Sequence, residues 1–261
     1  MKLNKIFVFF AAALPISVLL RLFQIRFTVD MATGFFKREE AAVGILLLCL
    51  IGAACLALAI FSRFAFRMPE IRKKNLPEAI ASLLCAGALI YELASESFAG
   101  TVLSWQLTLL TLVGIAAVLV FLAHSASLFA GFPLPKILFL IPPFYFIVQI
   151  ICTFTSISSL ALISDYILLM ATYCVGLLFF LNYGKLQNDV DPEHTFRKFL
   201  GSGLCFTLLA ATQSLPYFVF NFLLKQDYPH TSLSANLSAL AFGIFAAVSL
   251  FTCFCGKREE D

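Results

Sequence analysis

Charge is scarce in this chain: lysine and arginine number 18 and aspartate and glutamate 15 among 261 residues. That excludes an ordinary water-soluble domain. A net charge of only +3 gives no basic surface for nucleic acid, which is not an expected partner. Histidine occurs three times, at His124, His194 and His230, too dispersed to imply a shared metal. Catalytic signatures are missing too. There is no H-E-x-x-H, G-x-S-x-G, Walker loop or Gly-rich dinucleotide fingerprint. No cofactor, no metal and no catalysis are expected. The eight cysteines all fall inside or at the ends of apolar runs, where a thiol behaves as a small hydrophobe, so no disulfide framework is expected. Cys253 and Cys255 form a lone C-x-C without companion ligands.

Apolar residues make up 61% of the chain and the mean hydropathy is +0.95. Crossing the hydrocarbon takes about 20 apolar residues. Runs of that length fall near 6–23, 41–62, 79–98, 102–123, 137–157, 160–182, 199–224 and 232–255. The expected fold is an all-α polytopic membrane bundle of eight transmembrane helices. Short connections at Ala99-Gly100 and Ser158-Ser159 leave seven spans as the alternative count. Thirty phenylalanines against the single Trp105 read as a lipid-facing surface of apolar rings. The N-terminus has the basic start and apolar run of a secretory signal but continues through Arg21 without a small-x-small cleavage site beyond the apolar core, and reads as an uncleaved first helix.

Lysine and arginine accumulate in cytoplasmic loops. With eight spans, thirteen lie on the face that carries both termini, against Arg21, Arg26, Lys37, Arg38 and Lys225 on the other. Both termini are therefore expected in the cytoplasm, with the protein in the plasma (inner) membrane. The basic run Arg63 to Lys74 reads chiefly as a topology determinant. Asp191-Pro192-Glu193 reads as a helix start, with aspartate as the cap and proline in the first turn. Pro15, Pro142-Pro143 and Pro216 fall inside apolar runs, where a missing N–H can kink a helix.

Thr101–Phe121 recurs as Thr231–Phe251, with nine of 21 positions identical and Gln106 opposite Asn236. A duplication predicts two parallel four-helix halves, 1–124 and 125–261. Ser104, Thr108 and Thr111, like Ser234, Ser238 and Ala241, make narrow strips of small residues. These predict central packing of the fourth helix on the eighth, or packing of each on a sequence neighbour. The loop after the first helix carries D-x-x-T-G-F-F, Asp30 to Phe36, with Thr33-Gly34 as a turn before Phe35 and Phe36 return to the interface. In this loop, covering about a tenth of the chain, the sequence resembles uncharacterised bacterial polytopic membrane proteins. That resemblance implies a bacterial origin and no activity.

Ionisable residues inside hydrocarbon point to function. Glu92 and Glu96, one turn apart, and Asp165 all fall in the outer half by the topology above. Two readings stand. In one, these carboxylates form an outward-facing site for a cation or solute with Gln106, Gln149, Gln213 and Asn236. In the other, Glu96 and Asp165 meet interfacial water while Glu92 pairs with Arg21 or a neighbouring helix; Arg21, at the same level, is a natural counter-ion for one of the three carboxylates. The function expected first is a non-catalytic scaffold, sensory or accessory subunit that contacts the lipid bilayer and a membrane protein partner. The alternative is a transporter or solute-binding subunit with its site between the halves. An intramembrane lipid-modifying enzyme would need one carboxylate as general base.

Overall fold

A computed structural model describes residues 3–30, 35–64, 75–98, 105–156, 164–225 and 232–255. The turn at Thr33-Gly34, most of the basic run after Arg63, both short connections, Ser104, His230 and the side chain of Glu96 lie outside the described residues. Eight α-helices follow in order: α1 (Leu3–Thr28), α2 (Ala41–Ser62), α3 (Leu76–Phe98), α4 (Trp105–Ala130), α5 (Ile141–Ser156), α6 (Ser164–Gln187), α7 (Pro192–Phe218) and α8 (Leu233–Cys255). All eight are long and apolar enough to cross a membrane, and the chain is a multi-pass membrane protein.

Local chemistry explains the ends. Pro142 and Pro143 lie inside the span Lys136–Thr155. They occupy the first turn of α5, behind a 3₁₀ turn at Lys136–Leu140, where no intrahelical N–H bond is lost. Pro192 opens α7 and the Asp191 carbonyl accepts from the Thr195 N–H at 2.9 Å. The Asp191 side chain makes no capping bond, because its backbone is left-handed at φ 44°. Pro216 leads into a π-helical turn at Val219–Leu223. Beyond α1, Val29 bridges Phe36, so the first loop closes as a hairpin. We call that end of the bundle the hairpin end, and the end bearing Arg63 and the start of α7 the basic end.

Helices α3 to α8 form a closed ring: each packs on the next and α8 returns to α3. Helices α1 and α2 pack on each other and on α7, outside it. Lipid tails give no hydrophobic drive for helices to associate, so close packing must, and α7 has the composition for it. Its mean hydropathy, 1.4, is the lowest of the eight spans, yet 78% of its most apolar window is buried against 22% in α1 and α2. Small residues let its neighbours approach. A Cβ added at Gly201 would fall 2.4 Å from Ser62 Oγ of α2, and one at Gly203 would fall 2.9 Å from Leu250 of α8.

The ring interior is filled with aromatic rings. Phe146 and Phe180 lie 5.3 Å apart, Phe121 and Phe242 5.6 Å, and Phe180 and Phe245 5.8 Å with planes 12° apart. A substantial share of the phenylalanines thus serves the core rather than the lipid face, because aromatic pairs supply contact area and geometry that lipid tails do not. The boundary expected at 124/125 falls inside α4. His124, Ser125 and Ser127 look like a helix end but are buried: Ser125 Oγ donates to the Ala79 carbonyl of α3 at 2.9 Å and Ser82 Oγ of α3 donates to the Phe121 carbonyl at 2.7 Å. The two small-residue strips are not equally buried. Thr108 is exposed on α4, whereas Ala241 of α8 accepts from Cys85 Sγ of α3 at 3.4 Å.

Candidate functional site

At the hairpin end, Arg21 and Gln24 share a face of α1 at i, i+3 spacing. Arg21, 1% exposed, forms a salt bridge with Asp165 in the first turn of α6 and also donates to Gln24 Oε1. Gln24 Nε2 passes the chain on to the Gly44 carbonyl of α2 at 2.6 Å, and Thr28 Oγ1 donates to the Gln24 carbonyl at 2.8 Å. One buried network joins α1, α2 and α6. Gly44 permits it: a Cβ there would meet the Phe36 ring at 2.4 Å, which the hairpin lays over α2.

Glu92 of α3 faces α5. Gln149 Nε2 donates to Glu92 Oε1 at 3.3 Å and to Tyr145 OH at 2.7 Å, while Tyr145 OH donates to Glu92 Oε2 at 3.3 Å. The three are buried together, and every named proton has an acceptor.

The third network lies at the basic end, inside the ring. Glu78, 6% exposed, sits in the first turn of α3. Its Oε2 accepts from Asn75 Nδ2 at 2.7 Å, and its Oε1 accepts from Tyr183 OH of α6 at 2.8 Å and Ser249 Oγ of α8 at 2.9 Å. Tyr183 OH is also 2.7 Å from His124 Nε2 of α4. A phenol has one proton. With that proton on Glu78, His124 must donate through Nε2, leaving Nδ1 as a bare acceptor without a hydrogen-bond partner among the described residues. Beside the imidazole is a void of about 10 Å³ walled by Phe139, Pro142, Phe180 and Phe245. It is at the lower limit for one water and lacks the polar partners a water needs.

Glu78 and Glu92 are 14 residues apart, close to one face of α3 and roughly 21 Å apart along it. Core aromatic rings pack on both networks, Phe146 and Phe242 on Tyr145 and Phe179 and Phe245 on Tyr183. Of the other residues expected in an outer site, Gln106 donates to exposed Thr155 Oγ1 at 2.9 Å and Asn236 Nδ2 to the Ser232 carbonyl of its own helix at 2.9 Å. Gln213 is buried on α7, and its two amide atoms, like the hydroxyl of Ser214, have no hydrogen-bond partner among the described residues. The expected outer site is thus distributed over separate groups. No group of three or more His, Cys, Asp or Glu side chains able to hold a metal is found among the described residues.

Sequence reasoning missed Glu78, Asn75, His124, Tyr183 and Ser249 as one site. Asn75-Leu76-Pro77-Glu78 reads as a helix start with Asn as cap and Glu three residues on, a pattern usually at the water interface. The usable signal was Ser249, a polar residue within an apolar run, and Tyr183 just past the end of another. No protein-family model matches this chain, nor does any curated protein or solved structure.

Proposed function

We propose that this protein is a non-catalytic plasma-membrane component, a scaffold, sensory or accessory subunit that works through a membrane protein partner, with both termini in the cytoplasm. The observation that carries this reading is that Glu78, Glu92 and Asp165 are each engaged by side chains of neighbouring helices. Carboxylates held that way fix helices; a general base or an ion site needs free lone pairs facing a cavity. A seat for the partner is offered by an apolar groove of about 370 Å³ between α3 and α8, with Gly87 and Ala88 among its small lining residues. The charge asymmetry of the loops supports the orientation, and the D-x-x-T-G-F-F loop supports kinship with uncharacterised bacterial membrane proteins.

Native mass spectrometry of protein extracted gently from its own membrane tests the reading. A stoichiometric protein partner is expected. A Cβ at Gly87 would meet nothing within 4 Å, so Gly87→Leu should release that partner from an intact fold. A retained small molecule lost in Glu92→Gln, with no partner, would overturn the proposal.

One observation favours a second reading, a solute-binding or transport subunit. Gln213 and Ser214 keep unspent polar atoms close to Pro216 and the π-helical turn, a feature frequent at functional sites. Solute retention abolished by Gln213→Leu would support it.

A further inference from the structure

Helices α2, α6 and α7 enclose a second groove, of about 720 Å³, with a different character. Its mouth is cationic. Arg63 stands just past the last turn of α2, and Arg197 and Lys198 stand in the first two turns of α7. Glu193, 60% exposed, engages Arg197 at 2.6 Å, so the mouth remains net positive. Below it the walls turn apolar, through Leu178 and Val175 of α6 and Ala59 of α2, ending at Cys205 of α7.

Two features identify the occupant. The first is depth. His194 to Cys205 spans 11 residues of α7, about 16 Å at 1.5 Å per residue, and half of a hydrocarbon layer of about 30 Å is nearly the same length. The groove is one leaflet deep. The second is that the hydroxyl and thiol donors of its wall, and one N–H of Asn182, are already spent. Ser62 Oγ donates to the Ala59 carbonyl at 2.8 Å, Ser202 Oγ to the Lys198 carbonyl at 2.7 Å and Asn182 Nδ2 to the Leu178 carbonyl at 2.7 Å. Cys205 Sγ donates to the Cys55 carbonyl at 3.1 Å. A polar solute would find these donors turned onto the helices, whereas an acyl chain needs none. Basic pockets between membrane helices at the cytoplasmic side suit anionic headgroups.

We propose that this groove binds one anionic phospholipid. Its phosphate lies against Arg63, Arg197 and Lys198, and one acyl chain runs between α2 and α6 down to Val175. The site rests on the orientation proposed above, with the basic end cytoplasmic, and is independent of whether the protein works through a partner.

The test uses the full chain, purified and delipidated, and titrated with phosphatidylglycerol or phosphatidylcholine under native mass spectrometry. One phosphatidylglycerol per chain is expected, bound at least tenfold more tightly than phosphatidylcholine. R63A/K198A should weaken it about tenfold. K5A/K136A removes equal charge from exposed positions outside the groove and should leave binding within twofold. Val175→Trp fills the apolar floor and should weaken both lipids while the cations stay in place. Gel filtration checks each fold, and R63Q/K198Q, which keeps the side-chain stems, replaces any alanine variant that aggregates. Equal binding of the two lipids, equal loss in K5A/K136A, no loss in Val175→Trp, or displacement of the lipid by millimolar inorganic phosphate alone would each overturn the proposal.

Discussion

The two ends of the bundle solve the same problem differently. At the hairpin end, Arg21 and Asp165 neutralise each other between a helix outside the ring and one within it. At the basic end, Glu78 is held by uncharged donors from Asn75, just before α3, and from α6 and α8 of the ring. The first network tethers α1 and α2 to the ring; the second closes the ring on itself. A paired charge is intolerant of losing its partner, because a buried charge without compensation is far costlier than a lost neutral bond. A carboxylate held by three uncharged donors can shed one of them and keep the others. The two ends should therefore fail differently.

The largest effect is expected at the ion pair. Arg21→Ala leaves Asp165 buried without its cation and should cost about 3 kcal/mol or more, read as a lower midpoint of thermal unfolding in detergent. The double variant Arg21→Met/Asp165→Leu removes both charges and should regain most of that loss. If the double variant is as unstable as the sum of its singles, the pair is not coupled and the contrast between the ends disappears.

Next comes Glu78. Alanine there strips the acceptor from Asn75, Tyr183 and Ser249 at once, and should cost about 2 kcal/mol. Glu78→Gln restores one carbonyl acceptor in nearly the same shape and should cost about 1 kcal/mol or less. A glutamine variant as damaged as the alanine variant would mean that the site needs the carboxylate charge, and the basic end would then belong to the same class as the hairpin end. Packing gives an intermediate effect. Gly44→Ala drives a Cβ against the Phe36 ring and should cost about 1 to 3 kcal/mol, whereas Gly87→Ala, with open space around it, should stay within about 0.5 kcal/mol or gain slightly from helix propensity. Equal responses would place Phe36 away from α2.

Sequence pattern carried the eight spans because span length and apolarity are local properties. Arg21 and Asp165 were legible because charges stand out at the ends of apolar runs. Which of the three carboxylates Arg21 would pair with was not: that depends on α1 lying against the ring near the start of α6, which no local pattern specifies. Glu78 was illegible for the opposite reason. Its local pattern is that of a helix start, and only the closure of α8 onto α3 turns that position inward. The same closure buries His124, which polarity alone places at a helix end. Only part of the phenylalanines meets lipid, Phe154 and Phe251 among them, because a helix apolar all round does not announce which face meets protein. Ring packing decides that, and α7, least apolar and most buried, is where the two criteria diverge most.

The smallest expected effect is the most discriminating. Gln24 and Gln213 are both buried amides nearer the hairpin end, but Gln24 accepts from Arg21 and donates to Gly44, whereas Gln213, 7% exposed, has no hydrogen-bond partner among the described residues. Gln24→Leu should cost about 1 to 2 kcal/mol, since the Gly44 carbonyl and one guanidinium N–H lose their partners. Gln213→Leu removes an amide whose burial is uncompensated, so the change should lie within about 0.5 kcal/mol of zero or be stabilising. Thermal unfolding of the two variants side by side reads the difference. A clear loss of stability in Gln213→Leu, matching that of Gln24→Leu, would mean that the amide is satisfied by something the protein carries with it, and would move the functional reading from a packed scaffold toward a bound solute at the hairpin end of α7.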